Sequence, residues 1–208
     1  MNIFSYVIEH DLGFAPNPFH GVCTLACCKP KIRKRAELGD YILGTGASKP
    51  KLLGHPIYWM RIDEILSFDE YWDNRRFLRK KPVMTGTTHL RYGDNIYHHD
   101  GENTYCQVDS FHSLPNGGLS RGDLKRDTGS TDRVLLGRDF AYWGRRGVSL
   151  PDSLKYLIKK GPSHKRIFSD AQVNGWLSWL AAHGERGYID EPAHWQFLAN
   201  LKSKRKRK

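Results

Sequence analysis

Four histidines, His89, His98, His99 and His112, fall between residues 89 and 112, in a segment that also holds Asp94, Asp100, Cys106 and Asp109. Imidazole, carboxylate and thiol are the side chains that exchange protons or ligate metals. Their spacing matches no known zinc pattern. There is no H-E-x-x-H, no H-x-E followed by P-C-x-x-C, and no two-histidine, one-carboxylate arrangement at helical spacing. No metal and no cofactor are therefore assigned. The segment reads as a polar pocket in which Asp94, His98, His99 and His112 are the candidate acids and bases. Cys23, Cys27 and Cys28 lack the second separated pair that a tetrahedral site needs, and they read as small buried thiols.

A second set of residues suits phosphate and base recognition. Lys29 to Arg35 (KPKIRKR) and Arg75 to Lys81 (RRFLRKK) each place five positive charges in seven residues. Basic clusters beside aromatic side chains are how single-stranded or extruded bases are commonly held. Lys29, Lys31, Arg33 and Arg35 are the expected phosphate contacts, with Arg91 and its neighbour Tyr92 beside them. Phe14, Asn17 and Phe19 belong to a loop stiffened by Pro16 and Pro18, and with Trp143 they are the expected contacts to bases. Gly44-Thr45-Gly46 is too short for a dinucleotide or Walker fingerprint. It reads as a turn, with Thr45 facing a ligand in the functional reading.

Short strands must position most of these groups. Ile3 to Glu9, Tyr41 to Gly46, Ile57 to Leu66, Asn95 to His98, Tyr105 to Phe111, Arg133 to Leu136 and Phe140 to Gly144 carry the β-branched and aromatic runs expected of strands. Ser67-Phe68-Asp69-Glu70 fits a capping box, flanked by Leu66 and Tyr71 at the staple positions, so a helix is expected from there to about Phe77. Leu114 to Thr131 reads as a mobile loop. Pro151-Asp152-Ser153 and Ser169-Asp170 open two further helices, the second with Val173, Trp176, Leu177 and Leu180 on one stripe, and Gly184 ends it. Asp190-Glu191-Pro192 starts a last one, carrying Trp195 and Leu198.

The chain has 208 residues, 39% apolar, 26% charged and 12% aromatic, with a net charge of +11. That balance supports a packed core rather than disorder. No apolar run approaches the roughly 20 residues of a membrane span, and MNIFSYVIEHD lacks a basic leader, so a cytoplasmic protein with reduced thiols and no membrane partner is expected. One domain over residues 1–201 is expected, β-rich to about residue 145 and helical from about 150. Residues 202–208 (KSKRKRK) carry six positive charges and read as a disordered tail. Strands followed by helices imply an α+β fold, a small barrel or curled sheet with C-terminal helical decoration.

The segments GFAPNPFHGVCTLACCKPKIRK, GDYILGTG, IYWMRIDEILSFDEYW, RYGDNIYH and VLLGRDFAYWG, in this order within residues 1–180, resemble the nucleotide modification associated domain family of the second numbered type. That family comprises bacterial and phage proteins associated with DNA base hypermodification. The order of a basic stretch, Gly-Asp, a strand ending Gly-Thr-Gly and a strand leading into a capped helix is also similar to PUA-like barrels such as EVE and ASCH domains. That likeness implies a cleft for nucleic acid lined by Phe14 to Phe19 and the Gly-Thr-Gly turn.

Together these features predict a nucleic-acid-binding module that recognises a modified or flipped base in a base-modification or phage-defence system. DNA or a nucleotide is the expected partner, with base-modification enzymes as further partners. Two alternatives remain, an enzyme that itself modifies a nucleotide or DNA base, and a scaffold subunit of a modification complex.

Overall fold

The computed structural model describes residues 1–47 and 52–195. In chain order the first elements are β1 (Ile3–Ile8), β2 (Cys23–Leu25), α1 (Pro30–Arg35), β3 (Tyr41–Gly46), β4 (Pro56–Arg61), β5 (Glu64–Leu66), α2 (Phe68–Asp73) and α3 (Thr88–Arg91). They are followed by β6 (Tyr97–His99), β7 (Tyr105–Gln107), α4 (Arg121–Thr128), β8 (Val134–Gly137), β9 (Phe140–Tyr142), β10 (His164–Lys165), α5 (Asp170–His183) and β11 (Gly187–Tyr188). Two compact units share the chain. One takes residues 1–12, 39–61 and 139 onward, the other residues 13–38 and 62–138.

The first unit is built on a six-stranded sheet in the order β10-β1-β3-β4-β9-β11. β1 runs parallel to β3, which pairs antiparallel with β4, as β4 does with β9. Residues on both faces of β1, β3 and β4 are buried, which explains why their sequences run apolar without strict alternation. Trp59, Leu43 and Ile3 pack with Trp143, Leu154, Leu157 and the Val173, Trp176 and Leu180 stripe of α5. Ser169 caps α5 in a box with Gln172, and Gly184 ends it in the left-handed conformation at φ 72°. The strand expected over Tyr41 to Gly46 is β3, and its Gly-Thr-Gly end, also read as a turn, stays within the strand. A Cβ at Gly44 would lie 2.4 Å from the Tyr58 ring, so glycine is required there for close packing.

The second unit holds a three-stranded antiparallel sheet, β2-β8-β5, and the β6–β7 hairpin. Phe14, Cys27, Phe68, Tyr71, Phe77, Ile96, Tyr97, Val134 and Leu136 form its core. The capping box at Ser67 and Glu70 is present and starts α2, which gives way to a 3-10 turn over Arg75–Lys80.

Four expectations need correcting. The sheets are open and none closes into a barrel. The six-stranded sheet ends in the two-residue strands β10 and β11, which pair with β1 and β9 and not with each other. The expected single strand from Ile57 to Leu66 is two strands in different sheets. The break falls at Ile62-Asp63, where the Asp63 carboxylate accepts the Arg138 N–H at 2.8 Å and its own N–H bonds Leu136. The loop expected over 114–131 contains α4, with Ser120 accepting the Asp123 N–H. The helix expected after Pro151 is a 3-10 turn over Asp152–Leu157. Leu198 and the basic tail lie outside the described residues. Among the described residues, no helix is long and apolar enough to cross a membrane.

Candidate functional site

The second unit buries two polar clusters, and the expected acids and bases divide between them and the β6–β7 hairpin. In the first, Asp94 accepts the Thr24 hydroxyl at 2.6 Å and the Tyr71 hydroxyl at 2.8 Å. The Lys80 ammonium, fully enclosed, donates to Asn17 Oδ1 at 2.7 Å, to the Asn17 carbonyl at 2.9 Å and to the Val22 carbonyl at 2.7 Å. Burial lowers Lys80 to about 8 and raises the Asp94 carboxyl, although the nearby Lys80 charge opposes the latter. Asn17 in turn donates to the Tyr92 carbonyl at 2.8 Å. Asp94 and Asn17 are thus buried and occupied, pinning the proline-stiffened loop to the sheet.

The second cluster centres on Asp127, whose side chain is fully buried. Its Oδ1 accepts the Cys28 backbone N–H at 2.8 Å and Arg126 Nε at 2.9 Å. Its Oδ2 accepts the Tyr97 hydroxyl at 3.0 Å and lies 3.0 Å from His112 Nδ1. On the other side of the imidazole, His112 Nε2 is 3.7 Å from the Cys28 sulfur. Burial of His112, which is 8% exposed, opposes the charged ring. The hydrogen bond to Asp127 and the neighbouring Cys28 sulfur outweigh that and raise His112 to about 9. Arg126 Nη2 lies 3.3 and 3.2 Å from the two ring nitrogens, so the guanidinium rests against the ring.

Cys28 sits at φ 58° and Lys29 at φ 44°, two consecutive left-handed residues that are not glycine. Arg33, on α1, enforces that conformation. Fully buried, it donates to the Cys28 carbonyl at 2.9 Å, to the Arg133 carbonyl at 2.9 Å and to the Asp127 carbonyl. Phe14 sets its ring edge-on to His112 at 4.5 Å, and Phe111, 47% exposed, leans on Phe14 at 5.5 Å. Cys27, His112 and Asp127 also bring sulfur, nitrogen and oxygen within 4.8 Å of one another, the size of a metal shell. Two guanidiniums flank that trio and the carboxylate already faces five donor atoms from four residues, an environment that suits an anion and disfavours a cation.

His98 and His99 belong elsewhere. His98 stacks on Trp72 at 4.0 Å, and His99 Nδ1 is 2.8 Å from Asp69 Oδ2. Among the expected base contacts, Phe14, Phe19, Thr45 and Trp143 are buried. Trp143 donates to Glu185 at 2.6 Å within the core of the first unit, and Thr45 donates to the Tyr6 carbonyl at 3.3 Å. A ring enclosed in protein presents no face to a base. Arg33 is likewise structural, as is Lys80 of the second basic run, and Arg76 of that run pairs with Glu64 at 2.6 Å.

What stays exposed is a basic surface on α1 and α4, which pack against each other. Lys31, Lys34 and Arg35 project from α1, and Arg121, Lys125 and Arg126 from α4, while Lys29 is half-buried beside Cys28. Arg91 is exposed and Tyr92 half-buried. His112 stood out in the sequence as a candidate acid or base, whereas Cys28 read as a small buried thiol and is half-buried, and Asp127 and Arg126 carried no such reading. The only signal for Cys28 was the doublet with Cys27, and Asp127 lies in a segment read as a loop.

The chain matches the family described as Nucleotide modification associated domain 2 over residues 1–199, beyond the residues 1–180 within which the resemblance is read. No curated protein and no solved structure matches it.

Proposed function

Because the chain belongs to the Nucleotide modification associated domain 2 family, and so takes part in nucleotide modification, we propose that it engages the phosphates of a nucleic acid on the surface formed by α1 and α4. The observation that carries this reading is the set of exposed cations on the two packed helices, Lys31, Lys34, Arg35, Arg121 and Lys125, next to the polar cluster at Asp127. Phosphate contacts of this kind supply affinity and orientation but carry no sequence information. Base recognition falls to whatever is exposed beside them, and Phe111 is the aromatic ring so placed. It replaces Phe14, Phe19 and Trp143 in that role.

The combined Lys31→Glu, Lys34→Glu and Arg35→Glu variant tests it. Fluorescence anisotropy with single- and double-stranded DNA should show affinity falling by roughly tenfold or more, by a similar factor on every sequence, as expected when phosphate contacts are lost. Unchanged affinity in a folded variant would overturn the reading. The second reading, an enzyme acting on the nucleotide, is favoured by one observation of its own, the imidazole that sits between a half-buried thiol and a buried carboxylate.

A further inference from the structure

We propose that Cys28 is a catalytic nucleophile, with His112 as the imidazole that holds its proton and Asp127 as the group that orients His112, and that the site performs acyl transfer. The three residues stand in the order such chemistry needs. Sulfur faces Nε2 at 3.7 Å, and Nδ1 faces the carboxylate at 3.0 Å. A thiol–imidazole distance of this length in a ligand-free site is ordinary, and it shortens when substrate binds.

Three further features separate Cys28 from a thiol that merely fills space. Its backbone is held in a left-handed conformation from both sides, by Asp127 at the N–H and by Arg33 at the carbonyl. Strain fixed by buried partners is characteristic of functional positions. Moreover, the carboxylate that orients the base also anchors the nucleophile's own backbone, so the relative placement of sulfur and imidazole is set by a single group. Finally, Cys28 is half-buried, whereas its neighbour Cys27 is enclosed among apolar side chains and its thiol is pushed well up by burial. The doublet therefore pairs one reachable sulfur with one inert one. Phe14 and the exposed Phe111 place apolar rings beside the imidazole.

The chemistry balances as follows. In the reacting form the Cys28 proton already resides on His112 Nε2, and the thiolate of that ion pair attacks the carbonyl carbon of an acyl donor, R–CO–X. A carbon–sulfur bond forms, the bond to X breaks, and His112 returns the proton so that X leaves as HX. An acceptor Y–H then attacks the thioester, the neutral His112 takes its proton, R–CO–Y departs, and the thiolate–imidazolium pair is restored. Thiolates are good nucleophiles towards carbonyl carbon, and an imidazolium can protonate a departing amine or alkoxide, which is why acyl donors are the class assigned. Naming an amine or hydroxyl of the bound nucleotide as Y–H rests on the reading of the preceding subsection. The nucleophile does not depend on it.

The test uses the full chain without nucleic acid, so that loss of DNA binding and loss of thiol chemistry are read separately. With limiting iodoacetamide at neutral pH, peptide mass analysis should find Cys28 alkylated roughly tenfold or more faster than Cys106, a half-buried thiol 4.0 Å from the Asp100 carboxylate. In a His112→Gln variant that retains its circular dichroism spectrum, that advantage should disappear. With p-nitrophenyl acetate, the protein should release a stoichiometric burst of p-nitrophenolate and carry one acetyl group on Cys28, and Cys28→Ser should abolish both. Alkylation of Cys28 no faster than Cys106, or acetylation confined to lysines, would overturn the proposal.

Discussion

His112 and Asp127 meet across the core because each satisfies the other. The raised value of about 9 for His112 makes a sign-definite prediction. Below about pH 6.5 the ring is protonated both folded and unfolded, and the ion pair contributes fully to stability. As the pH climbs from there through about 9, the folded protein must hold a proton that the unfolded chain no longer wants, and the contribution drains away. Denaturant titrations of wild type and His112→Gln should therefore differ by on the order of 2 to 3 kcal/mol at pH 6 and converge above pH 9. A gap that stays constant with pH would mean that the ring is neutral throughout. Lys80 is a second residue with a definite consequence. Lys80→Met would leave Asp94 enclosed with no cation beside it, and should cost about 3 kcal/mol or more in urea unfolding. Little of this was legible from residue types alone. His112 stood out among the histidines, but Cys28 is 84 positions away and Asp127 lies 99 from Cys28. Spacing rules that work along one helix or strand have no purchase at such separations.

Elements whose ends are written in local chemistry were legible, and those held by tertiary contacts were not. Ser67 with Glu70 and Ser169 with Gln172 form reciprocal caps, because side-chain oxygens answer N–H groups left open in the first turn. Ser169→Ala should accordingly cost about 1 kcal/mol in thermal or chemical unfolding. α4 is the opposite case. Its sequence, RGDLKRDT, has no apolar stripe, and its buried residue is Asp127. Burial of a carboxylate cannot be inferred from a pattern of hydrophobicity, so the segment read as a loop. The contacts Asp127 makes with Cys28, Tyr97 and His112 are what fasten the helix. Asp127→Ala should therefore abolish amide protection over residues 121–128 in hydrogen exchange while leaving α5 protected. Equal loss in both helices would show that Asp127 serves global stability only. The strand expected to run through Ile57 to Leu66 failed for a related reason. Both halves are apolar enough for sheet, and only the bonds made by Asp63 divide them between two sheets.

At the scale of the whole molecule, composition and charge were informative about class and less so about architecture. The packed core followed from composition, and the mixture of strands and helices from local pattern. Closure into a barrel did not, since strand order and edge strands as short as β10 and β11 are set by long-range pairing. The net charge of +11 likewise overstated the exposed positive charge, because Arg33 and Lys80 turn inward and Arg76 is paired. The cations left outside on α1 and α4 are fewer and more localised than the sequence runs suggested, and the six positive charges of residues 202–208 are a separate contribution. The most direct measurement is the salt dependence of DNA affinity, by fluorescence anisotropy, for the full chain and for a chain ending at Leu201. Binding on the α1–α4 surface predicts that log affinity falls linearly with log salt in both, with a shallower but still negative slope in the shorter chain. Binding that vanishes when residues 202–208 are removed, or that is indifferent to salt in the shorter chain, would contradict it.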